Sequence, residues 1–432
     1  MPTDPLPLDI AAIRRDLHRY PETGFTEFRT ASRVAAALAA AGWEVRFGAE
    51  AISPDARLGV PDEPELSNAY DRALRVGAVP EYAAAMKGGL TAVAADLTGT
   101  RPGPTVAFRF DIDALPITES ANVGNRAVEA GYRSRHDGIM HACGHDGHTA
   151  VGVALGRKLA ERDFAGTVRL LFQPAEEGGR GAAALVEAGA ITGVDLLVCF
   201  HLGLGLPTGH LAASAVGLLA NTKLRARFTG VAAHAAAAPQ DGRHALLAAA
   251  TAALNVHALT RFSGADTRVN VGMLVSGASS NIIPADAVML LESRADDQGT
   301  NAELERRVRN VLSGAATIHE VAVAVERIGA VPAVSCSLQA TEQVMAAAHD
   351  LPGLTVLDSH YVGVSDDASA LIRAVHSAGG EATYCIVGAT LVGAHHTPDF
   401  DLDEAALPLA VAVLERIVQR QELASPVKEG VR

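Results

Sequence analysis

The chain has 432 residues, 49% apolar and 20% charged, which excludes a mainly disordered polymer. A single core stops growing at roughly 250–300 residues, so two domains are expected. Lys and Arg number 36 against 49 Asp and Glu, a formal charge of −13, which argues against nucleic acid or an anionic membrane as a main partner.

The start, MPTDPLPLDI, has no basic run and no apolar stretch of signal-peptide length, so no secretory signal is expected. No run of about 18 strongly apolar residues occurs, so no membrane span is expected either. Cys143, Cys199, Cys336 and Cys385 are too few and too scattered for a disulfide framework, and a reducing, cytoplasmic setting follows as the default.

Asp9 reads as the cap of a first helix, with Ile10, Ile13 and Leu17 at helical spacing and Pro21 closing it. A second helix is expected from Glu27 to Ala41, ended by Gly42. The segment from Ala51 to Gly89 is polar, broken by Pro and Gly, and reads as a partly helical insertion. From Leu90 onward short apolar strands alternate with helices, the pattern of an α/β fold with a mainly parallel sheet. Strands are expected at Thr105–Phe110, Thr167–Phe172, Asp195–Phe200 and Thr383–Val387. Each runs into polar residues, and the C-terminal edge of such a sheet is where sites are built. Between Val216 and Ala330 the order becomes strand, helix, strand, strand, helix, strand. That βαββαβ order is ferredoxin-like. It predicts a discontinuous first domain, 1–215 and 331–432, with a smaller domain at 216–330 inserted into it.

The densest chemistry lies in His141-Ala-Cys143-Gly-His145-Asp146-Gly-His148, a loop opening a helix. One His beside one Cys is usually structural. Three His, a Cys and an Asp within eight residues point to a metal site. Glu176-Glu177 follows a strand; alone it would read as a solvated acidic loop. Neighbouring residues on extended backbone point apart, so one can ligate metal while the other moves a proton. His201, His395-His396 and the pair Asp111 and Asp113 close other strands. One Cys, three His and one Glu can hold two divalent ions if a ligand bridges; such a pair activates water and polarises a carbonyl.

These segments carry a resemblance. His18 through Glu27, Asp111-Ile-Asp113-Ala-Leu-Pro, Met140 through His148, Phe172 through Gly178 and His395 through Phe400 together resemble the M20 metallopeptidase family, in its amidohydrolase branch. The likeness runs over nearly the whole chain in the right order. It implies a dimetal site with Cys143 as bridging ligand, completed by His145, Glu177, His201 and His396. Glu176 would be the general base, and Asp113 would orient the site. His234, in Gly230-Val-Ala-Ala-His234, would reach across to the active site of a partner protomer and stabilise the oxyanion there. Asn281 and Arg294 would hold the substrate carboxylate. Ser365-Asp366-Asp367 stands where the branch has Ser-Glu-Asp, and Asp366 is left out of the site. The ions would be Mn²⁺ or Zn²⁺: thiolate favours zinc, carboxylate and water tolerate manganese.

The activity implied is hydrolysis of an N-acyl or N-aroyl amino acid, with p-aminobenzoyl-glutamate or a related acyl-glutamate or acyl-aspartate as substrate. The resemblance makes 1–215 and 331–432 the catalytic domain and 216–330 a lid or dimerisation domain, and the assembly it implies is a homodimer through that lid, or a heteromer with a related chain. Competing readings are a general N-acyl-amino-acid hydrolase of hippurate or auxin-conjugate type, a non-catalytic partner in a heteromeric hydrolase, and a dimetal phosphoesterase.

Overall fold

The structure is a computed structural model, and it describes residues 4–424. Asp9 caps the first helix, α1 (Ile10–Arg19), its carboxylate accepting from the Ala12 N–H at 2.8 Å. Glu22 anchors the start of α2 (Phe28–Ala40) by accepting from the N–H groups of Arg29 and Thr30, each at 2.9 Å. Then follow β1 (Glu44–Phe47), α3 (Glu63–Arg75), α4 (Pro80–Ala85), β2 (Val93–Thr98), β3 (Arg101–Asp111), α5 (Arg126–Glu129), α6 (His145–Lys158), β4 (Ala165–Gln173), α7 (Ala182–Glu187), β5 (Leu196–Leu202), β6 (His210–Ala212) and β7 (Ala215–Leu218). Next come β8 (Ala220–Thr229), α8 (Ala245–His257), β9 (Thr267–Ser276), β10 (Asp286–Ala295), α9 (Gln298–Ile318) and β11 (Ala322–Val331). The chain continues through α10 (Leu338–His349), β12 (Thr355–Leu357), β13 (His360–Val364), α11 (Ala368–Ser377), β14 (Glu381–Val387) and α12 (Ala406–Ala424).

The large sheet has the order β1-β2-β4-β3-β5-β14-β6-β12. It is mixed: four of its seven pairings are parallel, in line with the expected parallel sheet, and three are antiparallel. β3 runs parallel to β4 and β5, β5 to β14, and β6 to β12; β1/β2, β2/β4 and β14/β6 are antiparallel. Connection length explains the difference. A parallel crossover needs about a dozen residues or more, whereas Gly99-Thr100 between β2 and β3 and the loop 203–209 between β5 and β6 are too short to do anything but reverse the chain.

Both faces of this sheet are buried. Phe108, Phe110, Phe172, Val198 and Phe200 pack on one side, and Ala107, Leu171, Leu197 and Cys199 on the other. That is why these strands read as near-continuous apolar runs. Phe110 stacks on Phe172 at 5.1 Å and meets Phe200 edge-on at 5.6 Å, locking the three central strands together just below their C-terminal ends.

Residues 220–331 form a second, antiparallel sheet of order β11-β8-β10-β9. Leu224, Ala226, Phe228, Met289 and Leu291 pack against α8 and α9 in a cluster of their own. Asp297 caps α9 by accepting from the Thr300 N–H at 2.9 Å. Among the described residues no helix is long and apolar enough to cross a membrane.

Candidate metal centre

The parallel strands β3, β4 and β5 deliver Asp111, Gln173 and His201 to one edge of the large sheet. His201 lies inside β5 rather than just after it. Gly144, at φ 94°, turns the chain into α6 and points Cys143 and His145 at that edge. Ala175, at φ 54°, does the same for Glu176 and Glu177. A left-handed alanine is uncommon, and buried Glu27 holds it by accepting from the Ala175 N–H at 2.9 Å.

A cavity of ≈ 300 Å³ opens there, lined among others by Cys143, Glu176, Glu177, His201, Arg294 and His396. Donor atoms of Cys143, His145 and His201 lie within 4.8 Å of one another, and so do those of Cys143, Glu177 and His396. The two groups share Cys143. The Cys143 Sγ is 3.5 Å from His201 Nε2, and Glu177 Oε1 is 3.2 Å from His396 Nε2 without hydrogen-bond geometry.

Hydrogen bonds fix which ring nitrogens remain free. His145 Nδ1 donates to the Asp113 carbonyl at 2.9 Å, and among the described residues its buried Nε2 makes no hydrogen bond, with Asp111 Oδ2 3.5 Å away. His201 Nδ1 donates to the Leu202 carbonyl at 2.8 Å, which leaves Nε2 facing Cys143. His148 differs. Its Nε2 accepts from the Leu202 N–H at 3.0 Å and its Nδ1 contacts Asp111 at 2.5 Å, so both nitrogens are committed and it ties β3 to β5. Asp146 also turns away from the site, pairing with buried Arg14 and His18 at 2.8 Å each. Of the dense His/Cys/Asp segment, Cys143 and His145 alone are among the donors grouped with His201.

Asp113 ties the site together. Its two oxygens accept from the N–H groups of Glu176 at 3.1 Å and Glu177 at 3.0 Å, while its backbone fixes His145. Buried polar groups need such partners, and here one carboxylate sets both the ligand and the Glu-Glu turn.

The electrostatics suit cations. Burial of His201, with His148 and His395 nearby, depresses its pKa well below the ordinary value and keeps a lone pair free. Burial would also depress His145, but Asp111 and Cys143 beside it outweigh that and hold it well above. Burial, then the charge of Glu177, pushes the Cys143 thiol up, so a thiolate there requires positive charge beside it. Glu176 is buried, and burial together with Asp366, Glu177 and Asp367 raises its pKa well above the usual range, the direction a proton carrier needs. Orphaned His145 Nε2 and Glu177 Oε1, both facing a thiol and further imidazoles, match a soft divalent cation site.

Arg294 reaches the cavity wall. His234 and Asn281 do not. Both are exposed, and they sit beside each other: His234 bridges to Ile282, and the Ala235 N–H donates to the Asn281 carbonyl at 3.0 Å. They lie beyond the end of β8 and β10 remote from the cavity, along a strand of ten residues, about 30 Å. Asp366, left out on sequence grounds, belongs to the wall; it accepts from Tyr384 Oη at 2.6 Å and pairs with Arg109 at 3.1 Å. The odd Ser-Asp-Asp run is the signal that marks it. Asn221 and Lys223 also line the cavity, and no motif marks them.

Residues 107–420 match the model of peptidase family M20/M25/M40. The chain is 40% identical over 407 residues, 93% of each chain, to one of the subunits of p-aminobenzoyl-glutamate hydrolase from Escherichia coli K12. It is 40% identical over 406 residues, again 93% of each, to indole-3-acetyl-aspartic acid hydrolase of Enterobacter agglomerans. The aminobenzoyl-glutamate utilization protein of Klebsiella pneumoniae superposes with TM-score 0.81 at 35% identity, over 98% of this chain and 97% of that one. The Bacillus subtilis YXEP protein, a dinuclear metal binding peptidase from the M20 family, gives TM-score 0.64 at 25% identity over 95% and 96%. A match that begins inside the central strand and runs into the last helix, with likeness across nearly the full length of relatives, shows that this chain belongs to peptidase family M20/M25/M40.

Proposed function

We propose that this chain is a metal-dependent amidohydrolase that cleaves the amide of an N-acyl or N-aroyl amino acid, with p-aminobenzoyl-glutamate or a related acyl-glutamate or acyl-aspartate as substrate. One observation carries the reading: two donor groups share Cys143, and the buried carboxyl of Glu176 stands within 4.8 Å of His145 and Glu177. Relatives named for hydrolysis of an aminobenzoyl-glutamate and an indoleacetyl-aspartate support the substrate class.

Cys143, His145, Glu177, His201 and His396 would hold two divalent ions, Mn²⁺ or Zn²⁺, with Cys143 bridging. Such ions activate water and polarise the scissile carbonyl. Glu176 takes the proton of the attacking water and returns it to the leaving nitrogen. Asp113 keeps His145 and the Glu-Glu turn in register. Arg294 faces the carboxylate of the amino-acid half.

Residues 1–215 and 331–432 would form the catalytic domain, with 216–330 as a ferredoxin-like lid that pairs two copies. Support comes from the separate apolar cluster of β8–β11 with α8 and α9, and from exposed Leu254, Val275 and Ile282 on that unit. A heteromer with a related chain is the alternative assembly, favoured by a relative whose name makes it one of several subunits. Free Cys143, Cys199, Cys336 and Cys385 fit a cytoplasmic setting.

The test is metal analysis with a hydrolysis screen of N-acyl amino acids, read by amine release. Metal near two equivalents and release of glutamate or aspartate are expected. Neither metal nor hydrolysis, with added manganese or zinc, would put the non-catalytic partner reading ahead. A second measurement bears on Cys143. Thiol reagents should label it quickly in metal-stripped protein and slowly in metal-loaded protein, and Cys143→Ser should bind ions more weakly because a neutral hydroxyl replaces a thiolate. Equal labelling in both states would remove Cys143 from the ligand set.

A further inference from the structure

The wall of the cavity opposite the histidines is built by β8 and β10. Asn221 stands opposite Arg294 and Lys223 opposite Glu292 in the antiparallel register. Alternation along the strands puts these four on the face turned away from α8 and α9, whose side carries Leu224 and Leu291. Asn221, Lys223 and Arg294 line the same cavity as Cys143 and Glu177.

Their charges are not equally committed. Arg294 holds Glu292 through two hydrogen bonds, Nε at 2.9 Å and Nη2 at 3.1 Å, and Asn221 adds a third to Glu292 at 3.3 Å. Burial would push the Glu292 carboxyl up, but Arg294 and then Lys223 outweigh it and hold the group below the usual range. Glu292 is therefore ionised and balances Arg294. Among the described residues the Nη1 edge of Arg294 has only a 3.5 Å contact with Ser365 Oγ, so that edge is open to a ligand. Lys223 is partly buried and, among the described residues, its ammonium forms no ion pair or hydrogen bond, although it lies near enough to Glu292 to act on its charge. The wall thus presents one guanidinium edge and one ammonium that, among the described residues, no carboxylate contacts directly.

We propose that Lys223 is a specificity-determining residue whose ammonium takes the side-chain carboxylate of an N-acyl dicarboxylic amino acid, while the open edge of Arg294 takes the α-carboxylate. The inference rests on the amidohydrolase reading above and adds which residues take each of the two carboxylates of the acyl-glutamate or acyl-aspartate. A monocarboxylic leaving group would cover Lys223 without pairing it. A polar group desolvated and left unpaired is penalised, which is how a site rejects an analogue lacking one charged group.

The test compares N-(4-aminobenzoyl)-L-glutamate with N-(4-aminobenzoyl)-L-glutamine on metal-loaded protein, following release of 4-aminobenzoate. Wild type should prefer the glutamate compound in kcat/KM. Lys223→Met should lower that preference roughly 10- to 100-fold, the range for losing one charge-assisted hydrogen bond, and Lys223→Arg should keep most of it. Metal content and Tm of each variant show that the fold is kept. An unchanged preference, or an equal fall for both substrates, would overturn the assignment. Calorimetric titration with L-glutamate and L-glutamine reads the same preference without turnover. If wild type splits neither compound but binds glutamate better, and Lys223→Met loses that difference, the hydrolase reading fails and the carboxylate site stands. No difference between the two ligands in wild type overturns the role of Lys223.

Discussion

Glu176→Gln should lower kcat by roughly 10²- to 10⁴-fold while metal content stays at the wild-type level, the loss expected when a general base is removed. The substitution keeps the shape of the side chain and its backbone bond to Asp113, which runs from the Glu176 N–H at 3.1 Å. What disappears is an oxygen able to carry a proton. Glu177→Gln is the matched control. Glu177 Oε1 lies 3.2 Å from His396 Nε2 and shares a donor group with Cys143, so its loss should show first as lost metal. Opposite results, with Glu176→Gln losing metal and Glu177→Gln keeping it, would reverse the two roles. The environments of the two residues argue for the stated order. Burial and the negative charge of Asp366, Glu177 and Asp367 raise the proton affinity of Glu176, as a group that takes a proton from water requires, whereas Glu177 faces a thiol and an imidazole.

How much of this is legible in the sequence depends on the range of the interaction. Local signals are readable. Asp9 capping α1, Gly42 ending α2 and the apolar runs of β3, β4 and β5 follow from nearest neighbours and burial. The donor set is readable too, because Cys143, His145, Glu177, His201 and His396 are residue types that chemistry rarely groups by chance, and resemblance to a family supplies their roles. The sheet's mixed direction is harder to see, although the short links at Gly99-Thr100 and 203–209 carry the signal. The division of labour within the His/Cys segment is not visible either. Only three-dimensional partners show that His148 is used up by Asp111 and Leu202 while His145 keeps Nε2 free. Lys223 and Asn221 belong to strands that alternate like any exposed face, so nothing in their own neighbourhood separates them from Arg225 and Arg227. Their placement comes from packing one sheet against the end of the other.

The same packing supports the second large effect. His234→Ala and Glu176→Gln should each be nearly inactive alone, and mixing them with exchange of protomers should restore activity to roughly a quarter of wild type in a symmetric dimer. An oxyanion donor must sit about 2.7–3.1 Å from the developing charge. His234 is exposed and does not line its own chain's cavity. Its Nδ1 accepts from the N–H groups of Ala236 at 3.2 Å and Ala237 at 3.1 Å, so the proton resides on Nε2 and that N–H is ready to donate outward. Exposed Val231 and Ile282 flank it, 50% and 46% accessible, the kind of apolar surround that a second copy would cover. Asn281 stands beside it and would be carried to the same foreign site. In a mixed dimer the protomer that keeps Glu176 borrows His234 from the other and becomes complete. The protomer lacking Glu176 stays dead. With random exchange about half of the dimers are mixed, each with one complete site of two, which gives the quarter. No recovery, with exchange verified by native mass spectrometry, would mean that His234 serves its own protomer or none. Recovery only on adding a different chain would favour the heteromer, with the donor supplied by that chain.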